Sequence, residues 1–217
     1  MPERAPFAVK DCALVVLATG AHAQSLQGLY EGLLAVPTDS IYHHFWGGLL
    51  RARFDDPEFN NDFAAWVRHA LHDLPLAERL AVIDPADFVD TEALRQELLE
   101  VVEQRLDEIN EPLWAPRDQR FYFMRGQLVV FDTGIRISDP RELVDLLPRL
   151  SLGSMYYHVI DARSRPLHGV DDFRTWIDGH EGLGAALGQI DPYFTSLKDL
   201  REQYAQVVAD YFAEDAR

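Results

Sequence analysis

The sequence predicts an α+β protein, mostly helical and built as a tandem duplication, and three observations predict it. Residues 7–44 align without a gap to residues 121–158 at a constant offset of 114, with eleven of the 38 positions identical; average composition would leave about two or three. Both copies then carry the same polar and aromatic order: Ser-x-Tyr-x-His, Arg-x-Arg, Asp-Phe-x-x-Trp. Each opens on short runs of β-formers and continues in apolar stripes of helical period. A repeat of about 110 residues is too long for a solenoid unit and reads as a duplicated domain. The expected organisation is a first repeat at 1–110, a linker at 111–119 and a second, shortened repeat at 120–217. Each is a β-hairpin followed by about four helices, the two related by a pseudo-twofold axis.

The hairpins come first. Phe7–Val9 and Ala13–Ala18 read as strands around Lys10-Asp11, and Phe121–Phe123 and Leu128–Phe131 around Arg125-Gly126. Glycine at a two-residue connection is a hairpin signal because the favoured turns need positive φ. A first helix follows, capped by Ser25 with Leu26, Leu29, Leu33 and Val36 as its stripe; Pro37 ends it. Its counterpart starts at an Asp139-Pro140-x-Glu142 capping box and carries Leu143, Leu146, Leu147 and Leu150. The next helix opens at Ser40, or Ser154, with the serine as its cap. Ile41, Phe45, Gly48 and Leu49 share a face with His44 at its edge. Asn61, or Asp171, caps the helix that carries Phe63 and Trp66, or Phe173 and Trp176. Both tryptophans are expected in the core. Gly179 stops that helix early in the second copy. A short helix near Ala77–Ala81, a long one from Glu92 to Ile109, and a last one from a Ser196-x-x-Asp199 box complete the chain.

Formal net charge is −16 and the pI about 4.7, which argues against duplex nucleic acid and anionic membranes as partners. Apolar runs fall short of a membrane span. Cys12 is the lone cysteine, so neither an intrachain disulfide nor a Cys-rich zinc site is possible, and a cytoplasmic setting fits. Ala13–Ala23 imitates a signal-peptide core, but its counterpart at Leu128–Gly134 lies deep in the chain, so Leu14–Leu17 reads as a strand.

Tyr-x-His, then Asn61-Asp62-Phe63-Ala64-x-Trp66, then Leu76-Ala77-Glu78-Arg79-Leu80 resembles a prokaryotic domain of unknown function, the one numbered 5752. The resemblance covers most of both halves. The second half departs from it, with Asp171 for Asn61 and without the Leu-Ala-Glu-x-Leu segment. The resemblance implies an intracellular protein with no assigned chemistry.

His44 and His158 are the candidates for acid–base work, since imidazole titrates near neutral pH. The competing reading packs each histidine under its tryptophan and bonds it to Asp62 or Asn61, and to Asp172 or Asp171. Retention in both copies favours that structural role, because a duplicated active site is rarely needed twice. Arg51, Arg53, Arg163 and Arg165, with Tyr42 and Tyr156, are the candidates for holding an anionic ligand; ion pairing with neighbouring acids is the alternative. No metal is expected. His43 and His44 are adjacent on a helix and cannot easily share an ion, and His69 and His72 have no matching pair in the second half. Phosphate-cradling glycine loops and nucleophile elbows are missing from the sequence, so no cofactor is expected. The leading reading is a non-catalytic accessory module that binds a small anionic ligand or a protein. The alternative is an enzyme on a phosphorylated or sugar-related molecule, with His44 as acid or base and Arg51 and Arg53 as the anion clamp. The oligomeric state is left open.

Overall fold

The computed structural model describes residues 5–50, 59–165, 169–177, 179–193 and 195–215. The chain is α+β and mostly helical, with two strands of 17 residues each, β1 (Phe7–Ala23) and β2 (Phe121–Ile137), paired in a two-stranded sheet. The Thr19 hydroxyl donates to Phe123 O (2.6 Å) and the Thr133 hydroxyl to Val9 O (2.7 Å). Numbers rising on one strand meet numbers falling on the other, so the pairing is antiparallel.

The expected hairpins are thereby corrected. Each half of the sequence supplies one continuous strand, and the partner is the strand of the other half. Neither Lys10-Asp11 nor Gly126 adopts positive φ; in the strands only Gly20 (+85°) and Gly134 (+78°) do. There the preceding threonine hydroxyl accepts from the amide two residues on, Ala21 N at 3.1 Å and Ile135 N at 3.2 Å, a local kink of the kind a bulge makes. Gly126 serves close approach instead, since a Cβ there would lie 2.9 Å from the Leu14 side chain and 3.1 Å from the His43 ring.

The chain divides into two compact units, Leu14–Gln127 and Met1–Ala13 with Leu128–Arg217. Both cuts fall within strands, one in β1 and one in β2. The segment expected as a linker belongs to the first of these units. Leu113 O accepts from Leu26 N (3.2 Å) and Ala115 N donates to Gln24 O (2.8 Å).

In the 14–127 unit, α1 (Leu26–Ala35) is capped by the Ser25 hydroxyl, buries Leu26, Leu29 and Leu33, and stops before Pro37. Next, α2 (Thr38–Trp46) starts directly after that proline. Ser40 therefore lies inside the helix and does not cap it. Asn61 caps α3 (Asp62–Trp66), which continues as a π-helical turn to Leu71. Asp73 caps α4 (Leu74–Ala81) and Asp90 caps α5 (Thr91–Glu108). Against α5 lie α1, α2 and α4. Its buried Arg95 donates to Leu33 O (2.8 Å) and Val36 O (2.7 Å), which are carbonyls that the end of α1 leaves without helical partners.

In the split unit, the Asp139–Glu142 capping box forms and leads into α6 (Leu143–Leu146). Pro148 cannot donate, so the stripe ends in a 3-10 turn rather than a long helix. Ser151, not Ser154, caps α7 (Leu152–Met155), which runs on through a π-helical segment, Tyr156–Asp161, into α8 (Ala162–Ser164). Asp171 caps α9 (Asp172–Trp176), and Gly179 follows at φ +89°. The remaining elements are α10 (Glu181–Gly188) and α11 (Leu197–Asp215). Ser196 accepts from Asp199 N (3.1 Å) at the head of α11, and Arg201 donates to Leu150 O (2.7 Å) at the end of the α6 segment. Against α11 lie α6, α7 and α10. Among the described residues no helix is long and apolar enough to cross a membrane.

Candidate functional site

The site is built at the outer edge of each strand. A residue whose backbone groups face away from the sheet partner must find other partners when buried. On β2 that residue is half-buried Met124. The Ser40 hydroxyl donates to its carbonyl (2.7 Å), and its N–H donates to His44 Nε2 (3.0 Å). Ser40 and His44 are four apart on α2 and so share a face. Together they present the donor and the acceptor that a third strand would have offered. The other ring nitrogen, Nδ1, lies 2.9 Å from Asp62 Oδ2. A backbone N–H can only donate, so Nε2 is the bare nitrogen and Nδ1 carries the proton given to Asp62.

In the split unit the histidine's two bonds recur, the ring and the strand amide offset by 114 residues and the carboxylate by 110. Lys10 N donates to His158 Nε2 (2.9 Å), and His158 Nδ1 lies 2.8 Å from Asp172 Oδ2. Ser154 is also buried, and its oxygen accepts from the Ser151 hydroxyl (3.0 Å).

Aromatic rings close both histidines in. His44 lies 4.7 Å from Phe121 and 5.2 Å from Phe63; His158 lies 4.9 Å from Phe7 and 5.4 Å from Phe173. The tryptophans are not core residues as expected but half-buried ones. Trp66 packs tilted against Phe121 and Trp176 against Phe7, one ring removed from the histidine. An indole N–H needs an acceptor, and each finds a backbone carbonyl at the margin, Gln119 O at 2.7 Å and Ala5 O at 3.0 Å.

Arg51 and Arg53 lie outside the described residues. Arg165 is turned onto the protein's own groups. It donates to Asp161 (2.9 Å), Asp172 (3.1 Å) and Tyr157 O (2.6 Å), and its guanidinium lies 3.9 Å over the Tyr157 ring. Arg163 Nη2 lies 3.6 Å from Asp171, whose carboxylate is fully buried. Burial raises the Asp171 pKa; the Arg174 amide, the Arg163 charge and the Tyr204 hydroxyl work the other way. Tyr156 is fully buried, so it offers no open hydroxyl to a ligand, whereas half-buried Tyr42 lies against Trp46 at 4.6 Å.

The fold does bring His43, His44 and Asp62 together, with ligand atoms within 4.8 Å of one another. The third group comes from α3, so adjacency of the two histidines on α2 gives no sign of it. Both His44 nitrogens already carry hydrogen bonds, so an ion here would have to displace one. At the His43 position the split unit has Tyr157. Sequence reasoning also missed a groove of about 560 Å³ in the split unit, bordered by Val9, Asp11, Arg136, Glu142, Asp145 and Arg149. Its residues come from three segments, and no motif marks them.

The chain belongs to the family of unknown function DUF5752, whose model matches residues 4–209. It is similar over 97% of both chains, at 28% identity and a TM-score of 0.84, to a solved structure described as that of OrfY from Thermoproteus tenax. None of the curated proteins matches it.

Proposed function

We propose that this member of the family is a non-catalytic, cytoplasmic accessory module that binds a small anionic ligand or a protein, and that its Ser-x-Tyr-x-His motif holds a strand in place and does no chemistry. The observation that carries this reading is the state of the two histidines. In each, the bare nitrogen is spent on a backbone N–H and the protonated one on a carboxylate. A general base needs its bare nitrogen within reach of a substrate proton, and here a strand amide occupies it.

The reading includes a duplicated ancestor. Bonds separated by the offset of 114 support it: Met124 and Lys10 on the histidines, Thr19 and Thr133 on the facing carbonyls, Gln119 and Ala5 on the tryptophans. A strand clip is needed once per strand, which accounts for two copies of the motif. Within the split unit, Val129, Val130, Phe131 and Ile135 are 43–49% exposed, apolar area that suits a protein partner.

The test is a thermal-shift screen of wild type and His44→Gln against inorganic phosphate and sugar phosphates. A ligand that binds only the native state raises the melting temperature. The reading expects His44→Gln to melt lower while any ligand-induced shift is retained. A variant that melts like wild type yet loses a turnover wild type possesses would establish the enzyme instead.

A further inference from the structure

We propose that the groove of the split unit binds a small aliphatic amine: the Asp11 carboxylate takes the ammonium, Glu142 is a second acceptor, and Ile135 and Leu146 carry the hydrocarbon stem. The groove has no histidine or tryptophan of the strand clip among its walls, and its ligand is opposite in charge to the anion considered above. Either reading can therefore fail without the other.

The site starts from a change of charge. In the other unit the matching positions, 114 residues away, hold an ion pair, with Arg125 Nε 3.5 Å from Asp39. In the split unit Asp11 stands at the position of Arg125, and Gly153, without a side chain, at that of Asp39. A Cβ on Gly153 would collide with Asp11 Oδ1, so the carboxylate occupies the room that a side chain there would need. Oδ1 accepts from Cys12 N (2.7 Å), and among the described residues no lysine or arginine pairs with Asp11. A half-buried carboxylate without a basic partner favours a cation brought from outside.

The other polar groups of the groove point the same way, since donors are engaged and acceptors are open. The Thr133 hydroxyl donates to Val9 O (2.7 Å), and the Ser151 hydroxyl to Ser154 Oγ (3.0 Å). Arg136 donates to Asp132 and to Ile135 O, both at 2.9 Å. Arg149 and Asp145 are 78% and 87% exposed, and they face each other at 4.0 Å on the rim. Glu142 accepts on Oε1 from Ser138 N (2.8 Å) and Asp139 N (2.9 Å), and its Oε2 is left over. An anion would find these donors in use, whereas an ammonium, which only donates, meets carboxylate oxygens.

The apolar walls decide what the cation is carried on. Ile135 is 46% exposed and Leu146 half-buried, so both offer accessible hydrocarbon in the same groove as the carboxylates. A volume of about 560 Å³ is that of a small-molecule site. A primary alkylamine, like the lysine side chain, titrates near about 10.4 and is charged at neutral pH. The net charge of −16 concentrates cations of every kind at the surface. The stem is what distinguishes an alkylammonium from an inorganic cation, which gains nothing from Ile135 and Leu146.

The experiment titrates the full chain at pH 7.5 with hexylamine, hexanol and hexanoate, which share a stem and differ in charge. Calorimetry reads the affinity, and amide chemical shifts locate the binding. Hexylamine is expected to bind saturably, with shifts at residues 9–12, 135–136 and 142–146. Hexanol should bind about tenfold more weakly or worse, and hexanoate not at all. Asp11→Asn removes the charge but keeps the oxygen that accepts from Cys12 N, so the fold should be retained. Its affinity for hexylamine should fall about tenfold or more, the worth of a hydrogen bond to a charged group. The amine site is overturned by hexanoate binding as tightly as hexylamine, by an unchanged affinity in Asp11→Asn, or by shifts scattered over the acidic surface. If Asp11→Asn does not fold, the wild-type shifts decide. Shifts confined to the groove with hexylamine and missing with hexanoate support the amine site, and any other pattern, including no saturable binding, overturns it.

Discussion

Replacing His44 by phenylalanine separates what the ring contributes by packing from what it contributes by hydrogen bonding. Phenylalanine keeps an aromatic ring between Phe63 and Phe121, so the packing loss is small. It removes the acceptor from Met124 N–H and the donor from Asp62. The second loss matters little, because the Asp62 side chain is 36% exposed and water can solvate it. The first leaves a strand amide unpaired beside a ring that is 4% exposed, at a cost of about 1–3 kcal/mol. For a chain of this size that is a fall in melting temperature of about 2–12 °C. Ser40→Ala removes only the donor to the carbonyl of the same residue, for about 0.5–1.5 kcal/mol. The two costs should not add, since both side chains hold one residue. Thermal unfolding followed by circular dichroism measures each variant, and amide exchange at Met124 locates the effect. If His44→Phe melts within 1 °C of wild type, roughly the resolution of such a scan, while Met124 stays protected, the histidine is not what holds the strand.

Other consequences are as specific. Burial, with the Asp11 carboxylate adding to it, pushes the Cys12 thiol up to about 12, so a thiol reagent at pH 8 should label native protein only as fast as it unfolds; prompt stoichiometric labelling would show an open cysteine. Arg95→Met strips donors from two carbonyls at the end of α1 and should cost about 1.5–3 kcal/mol by chemical denaturation, with a neutral result contradicting the capping role. At Gly32 a Cβ would clash with the edge of the Phe123 ring, whereas 114 residues away Leu146 and Val9 take the matching positions. Gly32→Leu alone should be destabilising by overpacking, about 1–3 kcal/mol or more, and Phe123→Val should recover part of that in the double variant. Additive losses would mean that the two positions are not a volume pair.

Short-range features were legible in the sequence. Ser25, Asn61, Asp139, Asp171 and Ser196 all act at helix N-termini as their spacing suggests, because a cap is decided by residues three apart. Pairing between strands was not legible. Where the two halves of a sequence resemble each other, a strand can satisfy the helices of its own half or those of the other half with the same side chains, so nothing local separates the two. Gly126 tipped the reading toward hairpins, although its lack of a side chain serves the His43 ring and not a turn. The serine of the motif was misread for a related reason. Ser40 near a helix start looks like a cap, but its acceptor is 84 residues away in sequence. His44 and His158 were legible as buried and carboxylate-bonded, while their second partner was not, since a backbone amide leaves no trace in residue type. The arginines show the limit from the other side. Arg165 finds Asp161 and Asp172 on either side of it in sequence, and the spacing alone does not say whether acids or a ligand would win.

The change from Asn61 to Asp171 is where the proposed copies differ most instructively. Asparagine caps α3 with its oxygen and still has an amide to give, and it donates to Leu80 O (2.9 Å) at the end of α4. In the second half of the sequence α10 (Glu181–Gly188) stands 107 residues along from α4, without the Leu-Ala-Glu-x-Leu motif. Aspartate keeps the capping oxygen, bonded to Arg174 N (2.9 Å), and turns its other oxygen into an acceptor. That acceptor is fully buried and must be met by donors. Tyr204 supplies one at 3.1 Å, and Arg163 brings its charge to 3.6 Å. Tyr204 stands at the position that the alignment of Leu94-Arg95 with Leu200-Arg201 gives to Leu98, a buried apolar residue in the other unit. A cap that gained a charge and a leucine position that gained a hydroxyl are thus one adjustment in two places. The second arginine of the Arg-x-Arg pair, Arg165, serves the histidine's carboxylate, and the first serves the cap. Tyr204→Phe should therefore cost about 1.5–3 kcal/mol, the range for a buried bond to a charged group. Asp171→Asn in the same background should restore part of that by removing the charge that tyrosine was there to meet. If Tyr204→Phe leaves the denaturation midpoint where it was, the carboxylate does not depend on the hydroxyl and the two changes are unconnected.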